Sequence, residues 1–368
     1  MGFFAKREQE AATPHQRLNR LRRHRAMQRG AFMTGERLES RCVLNAAPIT
    51  IPDTYTTPFA TAIDRSAPGW IANDSDTDGD SLRLSTVSAP QFGNVTWSES
   101  GDWQYRPADG FVGVDHVQYQ VTDGIASSDL TDVRIRVGTY SEMILADAPL
   151  AYWPLNDRQV AHDLSGHGND GTYDGVTAGV PGAIAAEATT AADFPRENSY
   201  VYLSVRPQLN ALRHDFTIEA WIKPKALVGH GRIFTNSQYD TSRGIAFGAF
   251  EKSLVFTTLG IKDYISKPVF NELNRWYHVA VVFDVNDDAS LYVDGQLIDK
   301  ITGNNPARTT TSASFLGLQW DFNQHFSGTI DEVAIYSRSL TSSDIGRHYQ
   351  MGVVAAGKIP AATADVYQ

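Results

Sequence analysis

The chain has 368 residues, 42% of them apolar, and carries 32 Lys and Arg against 42 Asp and Glu for a net charge of −10. One cysteine, Cys42, excludes an intrachain disulfide and any cysteine-based zinc site. No run of about 18 apolar residues is present, which excludes a spanning helix in the sequence.

The charge is unevenly divided. Residues 1–45 hold ten Lys and Arg and four Glu, a net of +6, which leaves 22 basic and 38 acidic groups in the other 323 residues, a net of −16. An acidic body repels phosphate backbones, so nucleic acid is not the expected partner of the folded part. It does suit hard cations such as calcium.

Residues 1–46 are rich in Arg and Gln and lack the apolar stretch of about 7–15 residues that a conventional secretory signal needs. Taken alone they read as a disordered basic leader. The segment ends in Leu38-Glu39-Ser40-Arg41-Cys42-Val43-Leu44-Asn45-Ala46. That ending resembles the planctomycete-type export segment, with Val43 where Leu is usual, and implies an exported protein at the cell surface or outside the cell.

Residues 47–138 turn to short β runs. Val117, Tyr119 and Val121 alternate with Gln118, Gln120 and Thr122, and Val133, Ile135 and Val137 alternate with Arg134 and Arg136, which is the period of half-buried strands. About ninety residues of this texture make one sandwich. The series Asn73-Asp74-Ser75-Asp76-Thr77-Asp78-Gly79-Asp80, Trp103-Gln104-Tyr105-Arg106-Pro107, Gly110-Phe111-Val112-Gly113-Val114-Asp115 and Tyr119-Gln120-Val121-Thr122-Asp123-Gly124 resembles the bacterial Ig-like and cadherin-like repeats.

Residues 139–352 read as β throughout, apart from a helical turn over Thr341 to Tyr349 that Thr341 and Asp344 would open. Phe216, Ile218, Ala220 and Ile222 alternate with Thr217, Glu219 and Trp221, so both faces of that strand should be covered. Val279 to Phe283 is continuously apolar, as a central strand requires, and Leu291 and Val293 lead into an Asp294-Gly295 hairpin. The ordered motifs Ala151-Tyr152-Trp153-Pro154-Leu155, Asp163-Leu164-Ser165-Gly166-His167-Gly168-Asn169-Asp170-Gly171, Phe216 to Pro224, Trp276-Tyr277-His278 and Gly328 to Tyr336 resemble the laminin-G-like, concanavalin-type jelly roll. Residues 353–368 read as a tail. The expected fold is therefore all-β: an Ig/cadherin-like sandwich followed by a larger jelly roll.

Four carboxylates, Asp74, Asp76, Asp78 and Asp80, fall within seven residues. They are either a solvated turn or a calcium loop. Ser85 stands where an EF-hand needs its bidentate Glu, so that motif is excluded. The cadherin-like resemblance implies calcium here, with Asp115 and Asp123 as further ligands. The jelly-roll resemblance implies a rim cation held by Asp163, Asn169, Asp170 and Asp331, against local turn chemistry as the alternative. Trp221 and Trp276 are expected in the core, whereas Tyr239, Trp320 and Phe322 are candidates for stacking on a sugar.

No Glu-x-Asp-x-x-Glu strand, His-Glu-x-x-His or Gly-x-Ser-x-Gly occurs. The expected function is therefore non-catalytic, calcium-assisted binding of a carbohydrate or a surface or matrix protein. A glycan-processing enzyme and a purely structural spacer are the alternatives.

Overall fold

The computed structural model describes residues 45–184, 187, 189–195, 197–237, 242–303, 305–319 and 324–353. Within them the chain is nearly all β, in two sandwiches. The first comprises β1 (Asp53–Thr57), β2 (Ile63–Arg65), β3 (Arg83–Val87), β4 (Gly93–Trp97), β5 (Trp103–Pro107), β6 (Gly113–Thr122) and β7 (Thr131–Val137). They form a four-stranded sheet, β1-β7-β6-β3, and a three-stranded sheet, β2-β5-β4. The alternation of β6 and β7 turns Val117, Tyr119, Val121, Val133, Ile135 and Val137 into one core. At its centre the Trp70 ring lies 5.0 Å from that of Trp103 and 5.7 Å from that of Tyr119. The turns at Gly69 and Gly101 touch back to back at φ of +53° and +98°, and a Cβ on either would enter the other turn's backbone. Only glycine fits both positions.

Helix α1 (Tyr140–Ala146) opens the second part, where the sequence reading expected β. The cause is local: Thr139 Oγ1 accepts from the Glu142 amide and Glu142 Oε2 accepts from the Thr139 amide, a reciprocal cap that satisfies two helix-start donors. Strands β8 (Ala151–Trp153), β9 (Val160–Ala161), β10 (Gly171–Asp174), β11 (Thr177–Pro181), β12 (Thr190–Phe194) and β13 (Tyr200–Leu203) follow. After α2 (Pro207–Asn210) come β14 (Phe216–Pro224), β15 (His230–Thr235), β16 (Ile245–Phe250), β17 (Ser253–Thr258) and β18 (Lys262–Pro268). Next are β19 (Tyr277–Phe283), β20 (Ala289–Val293), β21 (Gln296–Ile301), β22 (Ser314–Leu316), β23 (Leu318–Gln319) and β24 (Gln324–His325). The described chain closes with β25 (Gly328–Tyr336) and α3 (Ser342–Val353).

One sheet runs β11-β12-β25-β14-β19-β20-β21, with β8 on β25. The other runs β18-β17-β16-β15-β22-β13-β10-β9, with the β23-β24 hairpin beside β15. Phe216, Ile218, Ala220 and Ile222 face between them with Val279, Val281 and Phe283, as the alternation predicts.

The opposite face of the β25-β14-β19 sheet is covered by α1 and α3. It carries Glu219, His278, Asp331, Glu332 and Tyr336, each less than 2% exposed. The Tyr336 hydroxyl donates to Glu219 Oε1 at 2.6 Å, and His278 Nε2 lies 3.3 Å from Glu219 Oε2. His348 of α3 places Nδ1 2.8 Å from Glu219 Oε1 and Nε2 2.9 Å from Asp147 Oδ2. Both ring nitrogens face carboxylates, so the ring is a doubly donating imidazolium. Burial alone would lower its pKa, but Glu219 and Asp147 outweigh that and raise it to about 9. Arg338 and Arg347 also pair with Asp147, at 2.9 Å each.

The first sandwich is docked onto the same layer. Val112 and Val114 pack in one cluster with Tyr140, Met143, Trp221 and Ile345, and buried Arg136 pairs with Glu187. Glu187 Oε1 also accepts the Tyr140 amide at 2.7 Å, which ties β7, α1 and the jelly roll together.

This layer fixes a pH response. The raised His348 pKa contributes stability that is complete below its ordinary value of about 6.5 and lost as pH rises through about 9. Asp331 and Glu332 are pushed well up by burial, Glu332 further by the charge of Asp331, and they add loss in the same direction. The thermal midpoint should therefore fall from pH 6.5 to 10. The stability gap between the parent and His348→Gln should shrink over that range by on the order of 2–3 kcal/mol. A gap that stays constant in urea titrations at pH 6.5 and 9.5 would show that His348 is not held as the cation.

Candidate functional site

The outer face of the β16-β15-β22 sheet carries a continuous cross-strand row. Thr172 is paired with Tyr202, Tyr202 with Phe315, Phe315 with Thr235, Thr235 with Ala246, Ala246 with Thr257 and Thr257 with Asp263. Directly paired residues share a face, and the neighbours Val201, Leu316, Phe247 and Phe256 belong to the internal core, so this row lies on the opposite face, where Thr172, Tyr202 and Asp263 are exposed and the four residues between Tyr202 and Asp263 are buried.

The row has an aromatic end and a polar end. Tyr200 and Tyr202 both meet the Phe315 ring edge-on, with centroids 5.6 Å apart, and Tyr202 is 37% exposed. At the other end Arg232 Nη1 donates to Thr257 Oγ1 at 3.1 Å, and Thr257 Oγ1 donates to Asp263 Oδ1 at 2.7 Å. Arg232 Nε donates to Gln324 Oε1 at 2.8 Å. A nearly buried guanidinium requires such partners. Arg232 reaches this face because β15 shifts register between Arg232 and Phe234, with Ile233 as the extra residue. Asp263 is the one carboxylate in the cross-strand row. The sequence reading missed Tyr200, Tyr202, Arg232 and Asp263. The Tyr-Val-Tyr-Leu alternation of β13 was a usable signal for the two tyrosines, whereas the bulge that turns Arg232 outward left none.

Tyr239, Trp320 and Phe322 lie outside the described residues. Trp221 is buried and its indole donates to the Tyr140 hydroxyl at 3.0 Å. Trp276 is half-buried against the same cluster.

The acidic candidates separate into spent and unspent carboxylates. Asp115 is fully buried and accepts from the Gln91, Phe92 and His116 amides and the Tyr105 hydroxyl, all at 2.8–3.0 Å. Asp123 accepts from the Ile125 and Ala126 amides in a tight turn. Asp163 accepts from the Tyr152 and Ser165 amides on Oδ1, and from the Asn169 amide and side chain on Oδ2. Burial would raise its pKa, yet these donors hold it below the usual carboxylate range. Asp170 Oδ1 accepts the Asp163 amide, closing the same loop.

Asp331 is not with that loop. It lies on the helix-covered face, where Oδ2 accepts the Ala183 amide at 2.8 Å and the Glu332 side chain is its neighbour. The rim quartet expected from sequence is therefore two separate structures. Among the described residues no three His, Cys, Asp or Glu side chains converge as a metal cage would.

In the first sandwich Asp74 accepts from the Ile51 amide at 2.9 Å and the Tyr119 hydroxyl at 3.0 Å, and that hydroxyl also reaches Asp53 Oδ2 at 3.5 Å. Burial, then the charge of Asp74, pushes Asp53 up to about 7. Asp76 Oδ1 accepts from the Asp78 and Asp80 amides, while its Oδ2 is covered and has no partner. Asp78 and Asp80 are exposed. Asp53, absent from the sequence candidates, is brought to this loop by β1.

Residues 195–346 match the profile of the concanavalin A-like lectin/glucanases superfamily, and residues 45–139 that of the bacterial cadherin-like domain. No curated protein matches the sequence. Among solved structures, domain 4 of AbnA, a GH43 extracellular arabinanase from Geobacillus stearothermophilus in complex with arabinotriose, is 22% identical, with 55% of this chain and 98% of that one covered and a TM-score of 0.44. The binding domain of Paraclostridial Mosquitocidal Protein 1 is 20% identical, with 56% and 52% covered and a TM-score of 0.46. This chain thus spans about half of that domain's length.

If Asp163 is spent on its own loop, its loss must cost stability without any cation. Asp163→Ala leaves four donors unanswered and should destabilise the jelly roll by roughly 2 kcal/mol or more. Denaturant unfolding in excess chelator reads this directly. An unchanged midpoint there, with a loss seen only in calcium, would restore the cation reading.

Proposed function

We propose that this is an exported, non-catalytic binding protein whose jelly roll takes a carbohydrate on the outer face of its second sheet, at the β10-β13 side where Tyr202 is exposed. The observation that carries the reading is the exposed aromatic end of the cross-strand row. Exposed Tyr202 offers the apolar face a sugar ring stacks on, and the buried Phe315 ring packed against it holds that face in place. Asp263 stands in that row without a second carboxylate opposite it, whereas glycoside hydrolysis needs a pair. The export-like segment Leu38 to Ala46 supports a site outside the cell, although residues 38–44 lie outside the described part. Among the described residues no helix is long and apolar enough to cross a membrane.

Calcium belongs to this reading through the first sandwich. Asp53 and Asp74, which share the Tyr119 hydroxyl, are the pair that would hold it, with Asp76 further along the same loop. The uncovered demand of Asp76 Oδ2 and the mutual repulsion of Asp53 and Asp74 both fit a cation. Because Asp53 takes up a proton at about 7, calcium should raise the thermal midpoint more at pH 8 than at pH 6, and Asp74→Asn should remove the gain. Equal midpoints with calcium and with chelator at pH 8 would leave the loop as a solvated turn.

A glycan array probed with the whole protein tests the binding reading. Tyr202→Ala should weaken the bound glycan by about tenfold while the melting temperature holds. Release of new reducing ends from that glycan would make the protein an enzyme instead. An array on which nothing binds would remove the carbohydrate.

A further inference from the structure

A second groove opens in the first sandwich, at the end where β3 and β4 part, beside the turn that follows β6. Its floor is Leu84, 1% exposed and part of the core. Its wall is Trp97, which pairs in register with Trp103 and so faces the same side of the sheet. Trp103 is buried, whereas Trp97 lies beyond the reach of the opposing sheet and stays 38% exposed. The rim carries Asp80, Arg83, Glu99 and Asp123.

The groove is built before any ligand arrives. The Leu84 amide donates to the Glu99 carbonyl at 3.0 Å and so joins the two walls. The Ser98 and Ser100 hydroxyls both donate to Asp102 Oδ2 at 2.8 Å, which fixes the turn that carries Glu99. The Thr122 hydroxyl donates to the Ala126 carbonyl at 2.7 Å, and Asp123 takes two amides of its own turn. Asp80 is set by its amide, which donates to Asp76 Oδ1 at 3.2 Å.

We infer that this groove is a binding subsite for a neutral saccharide, separate from the jelly-roll face and independent of it. The exposed indole of Trp97, seated above buried Leu84, offers the apolar surface that the C–H face of a sugar ring covers. Asp80 and Glu99 accept hydroxyl protons, and Arg83 donates. Three carboxylates against one guanidinium make the rim net acidic, so a uronic acid is repelled and an uncharged sugar is the matching class.

The test uses the whole protein and four probes: cellohexaose, xylohexaose, mannohexaose and hexagalacturonate. At least one neutral hexasaccharide should bind, and more tightly than hexagalacturonate. Trp97→Ala should weaken it by about tenfold with the melting temperature unchanged. Should that variant unfold, Glu99→Ala at an exposed position gives the same reading, and Trp97→Phe should keep most of the affinity. Tyr202→Ala separates the two sites. Loss on Tyr202→Ala alone leaves the jelly-roll reading standing and overturns this one. Overturning it equally are affinity for every probe that is indifferent to Trp97→Ala, tighter binding of hexagalacturonate, and no binding by any neutral probe.

Discussion

Burying Glu219 on the outward side of β14 is the constraint around which the jelly roll is arranged. A carboxylate taken out of water must be answered by donors, and at least one of them must be charged. Tyr336, three positions beyond Val333 on β25, supplies a hydroxyl, and His348 supplies a cation. His348 in turn needs a second carboxylate, Asp147, at the end of α1, and Asp147 gathers Arg338 and Arg347. The chain of obligations therefore runs from a strand to both helices. It explains why α1 and α3 sit on this face, since neither can leave without uncovering a charge.

That arrangement decides which surfaces are left for partners. One sheet of the jelly roll is consumed on its outer side by the helices and by Val112, Val114 and Arg136 of the first sandwich. The other sheet keeps an outer row that reaches solvent at Thr172 and Tyr202 on one side and at Asp263 on the other. The first sandwich is thus more than a spacer carried ahead of a recognition domain. Its β7 end is part of the cover that makes the Glu219 layer dry, while the far end, where β3 and β4 part, stays open.

The fold was legible because its signals are local. Alternation along β14, the apolar run of β19 and the Asp294-Gly295 turn each act within a few residues, and the tertiary structure agrees with all three. Helix α1 was legible in principle through Thr139 and Glu142, but seven residues flanked by strand-like sequence gave the cap little weight. The site was not legible for a different reason. His348 answers Glu219 across 129 residues, and the outward row takes one residue from each of seven strands between Thr172 and Phe315. Register between strands that far apart is set by packing and by bulges such as the one at Ile233, and none of these leaves a periodic trace.

The acidic residues show most clearly how composition and capacity diverge. Asp115 and Asp163 look like ligands because they sit among glycines and other acids, yet each already accepts four donors. A carboxylate so answered gains little from a cation, since calcium would have to displace hydrogen bonds that hold the turn. Asp331 differs again: burial favours its protonated form, while its carboxylate accepts the Ala183 and Glu332 amides. Asp53, Asp74 and Asp76 are answered less fully than Asp115 and Asp163. Two share one tyrosine hydroxyl, and the third has an oxygen covered by protein but bonded to none of it. How many donors a carboxylate in this fold accepts therefore depends on where the backbone amides and tyrosine hydroxyls point rather than on how many acids the sequence lines up.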